Sequence, residues 1–189
     1  LRDISIESAK KALSNAQISP EGIDLVIVAT SSPDDLFGDA PSVASAIGAH
    51  KAAAFDLTAA CSGFLFGVVT ASQFIETGAY RRVLVVGADA LTRFLDWTDR
   101  GTCILFGDGA GAAVLERTED VQDSGVLGFA MHSDGRRYAN LQLKFNPQFS
   151  KLSNREESVV DKGSYGNIGM NGPEVFKFAV NEVCLAVIN

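Results

Sequence analysis

The sequence predicts an α/β fold, a mostly parallel sheet with helices on its flanks. Three observations carry this expectation. Residues 23–30 and 82–87 are short, almost wholly apolar runs, as strands covered on both faces are. Residues 4–16, 40–47 and 62–78 carry apolar side chains at helical spacing. The connections between them are short, and strands alternating with helices across short links are the grammar of a parallel sheet.

Taken in order, the elements read as follows. Residues 4–16 form an amphipathic helix, with Ile6, Ala9, Ala12 and Leu13 on one face and Lys10 and Lys11 opposite. Ser19-Pro20-Glu21-Gly22 is a turn. Residues 23–30 are a buried strand that Ser31-Ser32-Pro33-Asp34-Asp35 breaks, opening a loop that carries Leu36 and Phe37. A second helix, residues 40–47, has Asp39 and Pro41 at its start and Gly48 as its stop. Residues 52–57 read as a short buried strand that turns sharply at Cys61 into the apolar helix 62–78. There Phe64, Leu65, Val68, Val69, Ser72 and Ile75 recur at helical spacing. Residues 82–87 lead through Ala88-Asp89-Ala90-Leu91, and residues 110–116 close this part as a further strand. Beyond Arg117 the texture changes. Residues 119–124 are polar, 125–132 are strand-like, and 136–166 read as a polar, irregular surface excursion. Residues 174–188 are helical again, apolar on one face through Val175, Phe178, Ala179 and Val183.

Composition narrows the class. The length is that of one domain, and 47% hydrophobic residues with a mean hydropathy of +0.14 describe a chain that buries a core. No apolar run approaches the length of a membrane span, and nothing near Leu1 resembles a cleavable signal. A net charge of −7 argues against nucleic acid or an anionic membrane as partner. Cys61, Cys103 and Cys184 are an odd count without metal-ligand spacing. With only His50 and His132 beside them, a reducing compartment is expected and a metal site is not.

Four places could carry chemistry. At Cys61 a strand turns into a helix, so the first free backbone N–H groups are expected to face the sulfur and the helix dipole to favour its thiolate. That dipole contributes about 0.3–1 kcal/mol, too little to activate a thiol without a further group. The same position also suits a buried core cysteine. His50 and His132 lie in polar, turn-like settings, and neither is a convincing base for it. Gly107-Asp108-Gly109-Ala110-Gly111-Ala112 has the look of a dinucleotide-binding loop but precedes a strand, whereas a phosphate loop follows a strand and opens a helix. The expectation is instead that these glycines allow close backbone approach beneath the Cys61 helix. Trp97-Thr98-Asp99-Arg100-Gly101 puts an indole and a guanidinium in one loop, which suits a nucleotide base and phosphate. A structural Asp99–Arg100 pair is the other reading of those residues.

Five stretches together carry a more specific likeness. They are Asp56-Leu57-Thr58-Ala59-Ala60-Cys61-Ser62-Gly63-Phe64, Val85-Val86-Gly87-Ala88-Asp89, Trp97-Thr98-Asp99-Arg100-Gly101-Thr102, Phe106-Gly107-Asp108-Gly109-Ala110-Gly111-Ala112 and Met170-Asn171-Gly172-Pro173-Glu174-Val175-Phe176. In that order they resemble β-ketoacyl-acyl-carrier-protein synthase III, the initiating condensing enzyme of type II fatty-acid synthesis. The likeness runs from residue 4 to about residue 183. The loops around Leu36-Phe37 and Trp97-Thr98 look most like those of plastid and cyanobacterial members.

The resemblance implies a thiolase-like α/β fold of layered helices and sheets, in a homodimer. Residues 1–116 would be the first half, incomplete at its start, and residues 117–189 the connecting strand, surface excursion and first helix of a truncated second half. It implies that Cys61 takes the acetyl group of acetyl-CoA and passes it to a carbanion formed by decarboxylation of malonyl-acyl carrier protein. No cofactor is implied, acetyl-CoA being a substrate. It further implies that Arg100, beside Trp97, contacts CoA and that Phe37 reaches the acyl pocket of a dimer partner. Phe106 would line the pocket, Met170 and Phe176 its wall and entrance, and Lys177 would dock the carrier protein. The His and Asn that stabilise the decarboxylating thioester are expected beyond Asn189. The expected setting is bacterial cytoplasm or plastid stroma. The alternatives are another acyltransferase of the thiolase superfamily, or a non-catalytic half acting only in dimerisation or carrier binding.

Overall fold

The computed structural model of the chain describes residues 1–118, 125–151 and 158–188. These pack as two compact units, residues 1–90 with 108–129, and residues 91–107 with 130–189. The polar stretch 119–124 and the middle of the expected excursion, residues 152–157, lie outside the described residues.

The first unit is a four-stranded sheet, in the order β2-β1-β3-β4, with helices on both faces. Strand β1 (Leu25–Ala29) pairs in parallel with β2 (Ala53–Leu57) and β3 (Arg82–Ala90), and β3 pairs antiparallel with β4 (Asp108–Glu116). Side chains of a strand alternate between faces, and here both faces are apolar. Val26, Val28, Leu84 and Val86 point to one side, against helices α1 (Arg2–Ala16) and α2 (Ala40–Ile47). Leu25, Ile27, Val83 and Val85 point to the other, against α3 (Gly63–Glu76). All eight are fully buried, each worth about 1.5–3 kcal/mol over exposure. This is why the two apolar runs in the sequence show no alternation.

Helix α1 buries Ser5, Ala9 and Leu13 and leaves Lys10 and Lys11 exposed, as its pattern predicts. Helix α2 ends at Gly48 in the left-handed conformation, φ 94°, where a side chain would be strained. Strand β2 corrects the expectation of a buried strand. It lies at the sheet's edge among the described residues, with β1 as its neighbour, and alternate side chains are exposed.

In the second unit, helix α4 (Gly172–Phe178) continues through a π-helical turn, Ala179–Val183, into α5 (Cys184–Ile188). A π turn rotates the face that follows it. Val175 and Phe178 are half-buried, whereas Ala179 and Val183, expected on the same stripe, are exposed. The excursion is more regular than its polarity suggests. It contains a hairpin of β6 (Phe145–Lys151) with β7 (Ser158–Tyr165), and β5 (Leu141–Gln142) pairs with β8 (Gly169–Met170). Phe145, Pro147 and Phe149 alternating with Asn146, Gln148 and Ser150 are the period-two signal that the overall polarity masks. Residues 125–132, expected as strand-like, take no strand structure, because a strand needs a ladder partner and none pairs with them among the described residues. No helix among the described residues is long and apolar enough to cross a membrane.

Candidate active site

Strand β2 delivers the chain to a single 3₁₀ turn, Ala60–Ser62, and α3 starts at the next residue. Ala60 adopts φ 48°, one of two non-glycine residues with positive φ among the described residues. A left-handed Ala costs on the order of 1–2 kcal/mol, so the surrounding packing must hold the turn. It presents Cys61 exposed, which removes the core-cysteine reading. The free N–H groups expected at the sulfur are otherwise engaged in part. Those of Ser62 and Gly63 bond back to the carbonyls of Ala59 and Ala60.

Close packing of α3 on the sheet fixes where the turn lies. A Cβ on Gly67 would stand 2.9 Å from Val85 Cγ1, and one on Gly87 would stand 3.1 Å from the Phe64 ring. These glycines permit the approach that the sequence reading assigned to Gly107, Gly109 and Gly111. At those three positions a Cβ would meet nothing within 4 Å. Physically, α3 packs on the middle of the sheet, whereas Gly109 and Gly111 belong to β4, which lies at the sheet's edge among the described residues.

Cys61 opens on a cleft of about 520 Å³ lined chiefly by small residues, among them Ala29, Ala60, Gly87, Ala88, Gly109 and Gly111. Among the described residues the one charged group in its lining is Asp89. Asp89 Oδ1 accepts from the Ser31 N–H (2.9 Å), the Ser32 hydroxyl (2.9 Å) and the Thr30 hydroxyl (3.3 Å). The Ser32 hydroxyl in turn accepts from Ala90 N–H at 2.8 Å. The C-terminal ends of β1 and β3 are thereby tied together beside the cleft. The sequence reading passed over this cluster. Its signal was three hydroxyl-bearing or polar positions, Thr30-Ser31-Ser32, directly after one apolar strand, with an acid at the end of another.

Phe37 lies in the same unit on a different surface. It is 99% exposed and, with Leu36, borders a second cleft of about 470 Å³ over the end of β2. The Asp35 carboxylate accepts from Phe37 N–H at 2.9 Å, and Gly38, with φ 104°, turns the chain back toward α2.

The second unit carries the other residues singled out. Trp97 and Arg100 share one exposed loop, which is held by its own acids. Asp96 accepts from the N–H and hydroxyl of Thr98 at 2.9 and 2.6 Å, and those bonds hold its carboxyl below the ordinary range. The Asp99 carboxylate bonds Gly101 N–H and the Thr102 hydroxyl, each at 2.9 Å, rather than Arg100. Phe106 and Met170 are half-buried and Phe176 is exposed on α4. Lys177 is exposed and paired with Glu174 at 2.7 Å, a contact that lowers the carboxyl of Glu174. The structure therefore groups Trp97 with Arg100 in one loop and Phe176 with Lys177 on one helix, and places Cys61 and Phe37 at separate clefts of the first unit.

A strand that turns through a strained 3₁₀ segment into a glycine-containing helix, on a mixed sheet covered on both faces, is the thiolase-like architecture. Solved 3-oxoacyl-acyl-carrier-protein synthases III share it. That of Aquifex aeolicus superposes with a TM-score of 0.79 at 39% identity, over 94% of this chain and 51% of its own. That of Thermus thermophilus gives 0.78 at 36% identity, over 95% and 53%. The family model for 3-oxoacyl-[acyl-carrier-protein (ACP)] synthase III matches residues 55–135. Beta-ketoacyl-[acyl-carrier-protein] synthase III of Microcystis aeruginosa is 54% identical over 183 residues, 97% of this chain and 54% of that protein. The Porphyra umbilicalis protein of the same name is 50% identical over 189 residues, 100% of this chain and 56% of its own length. Over nearly its whole length the chain is similar to β-ketoacyl-acyl-carrier-protein synthases III, and it spans about half the length of the curated relatives it matches.

Proposed function

We propose that this chain carries the nucleophile of a condensing enzyme that starts type II fatty-acid synthesis. The Cys61 thiolate attacks the carbonyl carbon of acetyl-CoA. The tetrahedral oxyanion collapses with departure of the CoA thiolate, and the acetyl group remains on sulfur. Malonyl-acyl carrier protein then loses carbon dioxide. The electron pair of the broken bond forms a carbon–carbon bond to the acetyl carbonyl, and Cys61 leaves as thiolate. The product is acetoacetyl-acyl carrier protein. The N–H of Cys61 serves as one oxyanion donor. The groups that stabilise the decarboxylating thioester belong, in this reading, to the part of the relatives that the chain does not span.

The other residues take roles around that centre. Trp97 and Arg100 receive CoA, Phe106 lines the acyl pocket, and Met170 and Phe176 form its wall and entrance. Phe37 reaches the acyl pocket of a second copy in a homodimer, and Lys177 meets the acidic surface of the carrier protein. No cofactor takes part. Relatives from cyanobacteria and red algae favour the bacterial cytoplasm or plastid stroma as the setting.

The observation that carries this reading is the exposed Cys61 on a strained strand-to-helix turn, above a cleft lined by small residues. The test is to incubate the full-length gene product with acetyl-CoA and locate the acetyl group by peptide mass spectrometry. Malonyl-acyl carrier protein is then added and the carrier-bound product identified. Acetyl on Cys61 followed by acetoacetyl-acyl carrier protein is expected. A protein that takes no acetyl group, or takes it elsewhere, would overturn the reading.

A further inference from the structure

The Trp97–Arg100 loop has an internal frame that neither residue makes. Asp99 N–H donates to the Asp96 carbonyl at 3.0 Å, and the Asp99 carbonyl accepts from the N–H groups of Thr102 (3.2 Å) and Cys103 (3.0 Å). Its carboxylate reaches across the next turn to Gly101 N–H with Oδ1 and to the Thr102 hydroxyl with Oδ2. Thr102 is 2% exposed, so this hydroxyl is a buried anchor in an otherwise exposed loop. A Cβ on Gly101 would stand 3.1 Å from Asp99 Oδ1, so the carboxylate occupies the space that a side chain at 101 would need.

Two consequences follow for Arg100. Its backbone is clamped between Asp99 and Gly101, which limits the entropy lost when its side chain takes up a ligand. Its neighbouring acid, which would otherwise compete for the guanidinium, has both oxygens engaged inside the loop. Trp97 is 65% exposed on the same loop, and an indole is a residue type that stacks on aromatic planes.

We propose that Asp99 and Thr102 are positioning residues that hold Trp97 and Arg100 as a preformed seat for a phosphorylated adenine nucleotide, the nucleotide end of the acyl-CoA donor. This rests on the acyl-CoA reading above. A seat for the nucleotide alone makes a distinctive prediction. Its loss weakens donors that carry the nucleotide and spares those that lack it.

The experiment uses the full-length gene product with Asp99→Ala, Thr102→Val and Thr102→Ser. Acetylation is measured with acetyl-CoA and with acetyl-pantetheine, which lacks the nucleotide. Binding of adenosine 3′,5′-bisphosphate is measured by calorimetry. For Asp99→Ala and Thr102→Val, KM for acetyl-CoA is expected to rise roughly tenfold, about 1.4 kcal/mol. The value of kcat stays within about twofold, as loss of uniform binding requires. KM for acetyl-pantetheine is expected to be unchanged, and Thr102→Ser to behave as the parent protein. Nucleotide affinity should fall in step with acetyl-CoA. If both donors weaken equally in folded variants, or acetyl-CoA does not weaken at all, the proposal is wrong. Should Asp99→Ala not fold, Thr102→Val against Thr102→Ser decides. A parent protein acetylated by neither donor defeats the functional reading instead, and the calorimetry then tests the seat on its own.

Discussion

The backbone N–H of Asp39 donates to both carboxylate oxygens of Asp56, at 3.0 and 2.9 Å, while the carboxylate of Asp39 itself is fully buried and faces the other way. That carboxylate takes the Arg2 guanidinium at 2.8 Å and the Asp34 N–H at 2.7 Å. The Arg2 hydrogen bond to Asp39 raises the guanidinium further above its ordinary value. Asp56 also accepts from Ala40 N–H at 2.7 Å, so it caps the start of α2 from a neighbouring strand. Two acids thus stand on neighbouring elements with separate sets of donors. The result joins the start of α2, the Phe37 loop and the strand that leads to Cys61.

Removing the acceptor should expose that join. Asp56→Ala leaves the N–H groups of Asp39 and Ala40 without their partner, and an unsatisfied buried group costs about 1–3 kcal/mol. Chemical denaturation should show a loss of that order, with Asp56→Asn losing less because one acceptor oxygen remains. Limited proteolysis should cut faster around Leu36 and Phe37. Unchanged stability together with an unchanged cleavage rate would show that the carboxylate is not what holds the loop.

The three cysteines provide a second test. Cys61 and Cys184 are both exposed and Cys103 is partly buried, so exposure alone does not single out Cys61. What singles it out is the turn. In the full-length gene product Cys61→Ala should abolish acetylation by acetyl-CoA, and Cys103→Ala and Cys184→Ala should leave it within about twofold. Intact-mass spectra showing an acetylated Cys61→Ala protein would remove Cys61 from the mechanism.

Much of the first unit was legible because its signals are local. The apolar runs around Val26 and Val85 lie inside a sheet covered on both faces, and Gly48 ends α2 where a left-handed residue is required. Cys61 was legible as a strand-to-helix turn. Less could be read where a residue's role depends on a distant neighbour. Nothing local marks Asp56 as the cap of a helix 16 residues earlier, or Asp89 as the acceptor for hydroxyls 57 and 59 residues away. The glycines were misassigned for the same reason. Spacing revealed a glycine cluster at 107–111, but which glycine meets a side chain is decided by which strand lies under α3. The π turn after Phe178 likewise rotated a stripe that a regular helix would have kept in line.

Acid sensitivity should have an identifiable contributor at the β3–β4 pair. Arg82 and Glu116 are cross-strand partners, with Arg82 Nε donating to Glu116 Oε1 at 2.7 Å and the Arg81 guanidinium forming an ion pair with the same oxygen at 3.6 Å. The Arg82 hydrogen bond holds the carboxyl of Glu116 below its ordinary value of 4.5. A carboxyl lowered in the folded state binds fewer protons there than in the unfolded chain, so it stabilises the fold above its unfolded value. That contribution fades as pH falls from about 4.5 through the lowered folded value. Glu116→Gln should therefore be less stable than the parent near neutrality and converge with it in acid. Denaturation at several pH values checks this. A difference that stays constant down to pH 3 would place the effect outside the ion pair.

The last test concerns the contact that sets the Cys61 turn on the sheet. Inside a helix, replacing Gly by Ala normally stabilises by about 1 kcal/mol. At Gly67 the added methyl would lie 2.9 Å from Cγ1 of Val85. Val85 is fully buried and β-branched, so it has little freedom to turn aside. Overpacking of this kind costs about 1–3 kcal/mol, which matches or exceeds the propensity gain. Gly67→Ala is therefore expected to be neutral to about 2 kcal/mol destabilising, and Val85→Ala introduced with it should recover part of what each change loses alone. Because α3 must move away from β3 to make room, the Cys61 turn moves with it, and thiol alkylation of Cys61 should change rate. Gly109→Ala, where a Cβ meets nothing within 4 Å, should change neither stability by more than about 0.5 kcal/mol nor that rate. Gly67→Ala raising stability by the full helical increment would refute the close packing of α3 on Val85. A large cost at Gly109 would restore the glycine cluster of β4 to the role that the structure gives to Gly67 and Gly87.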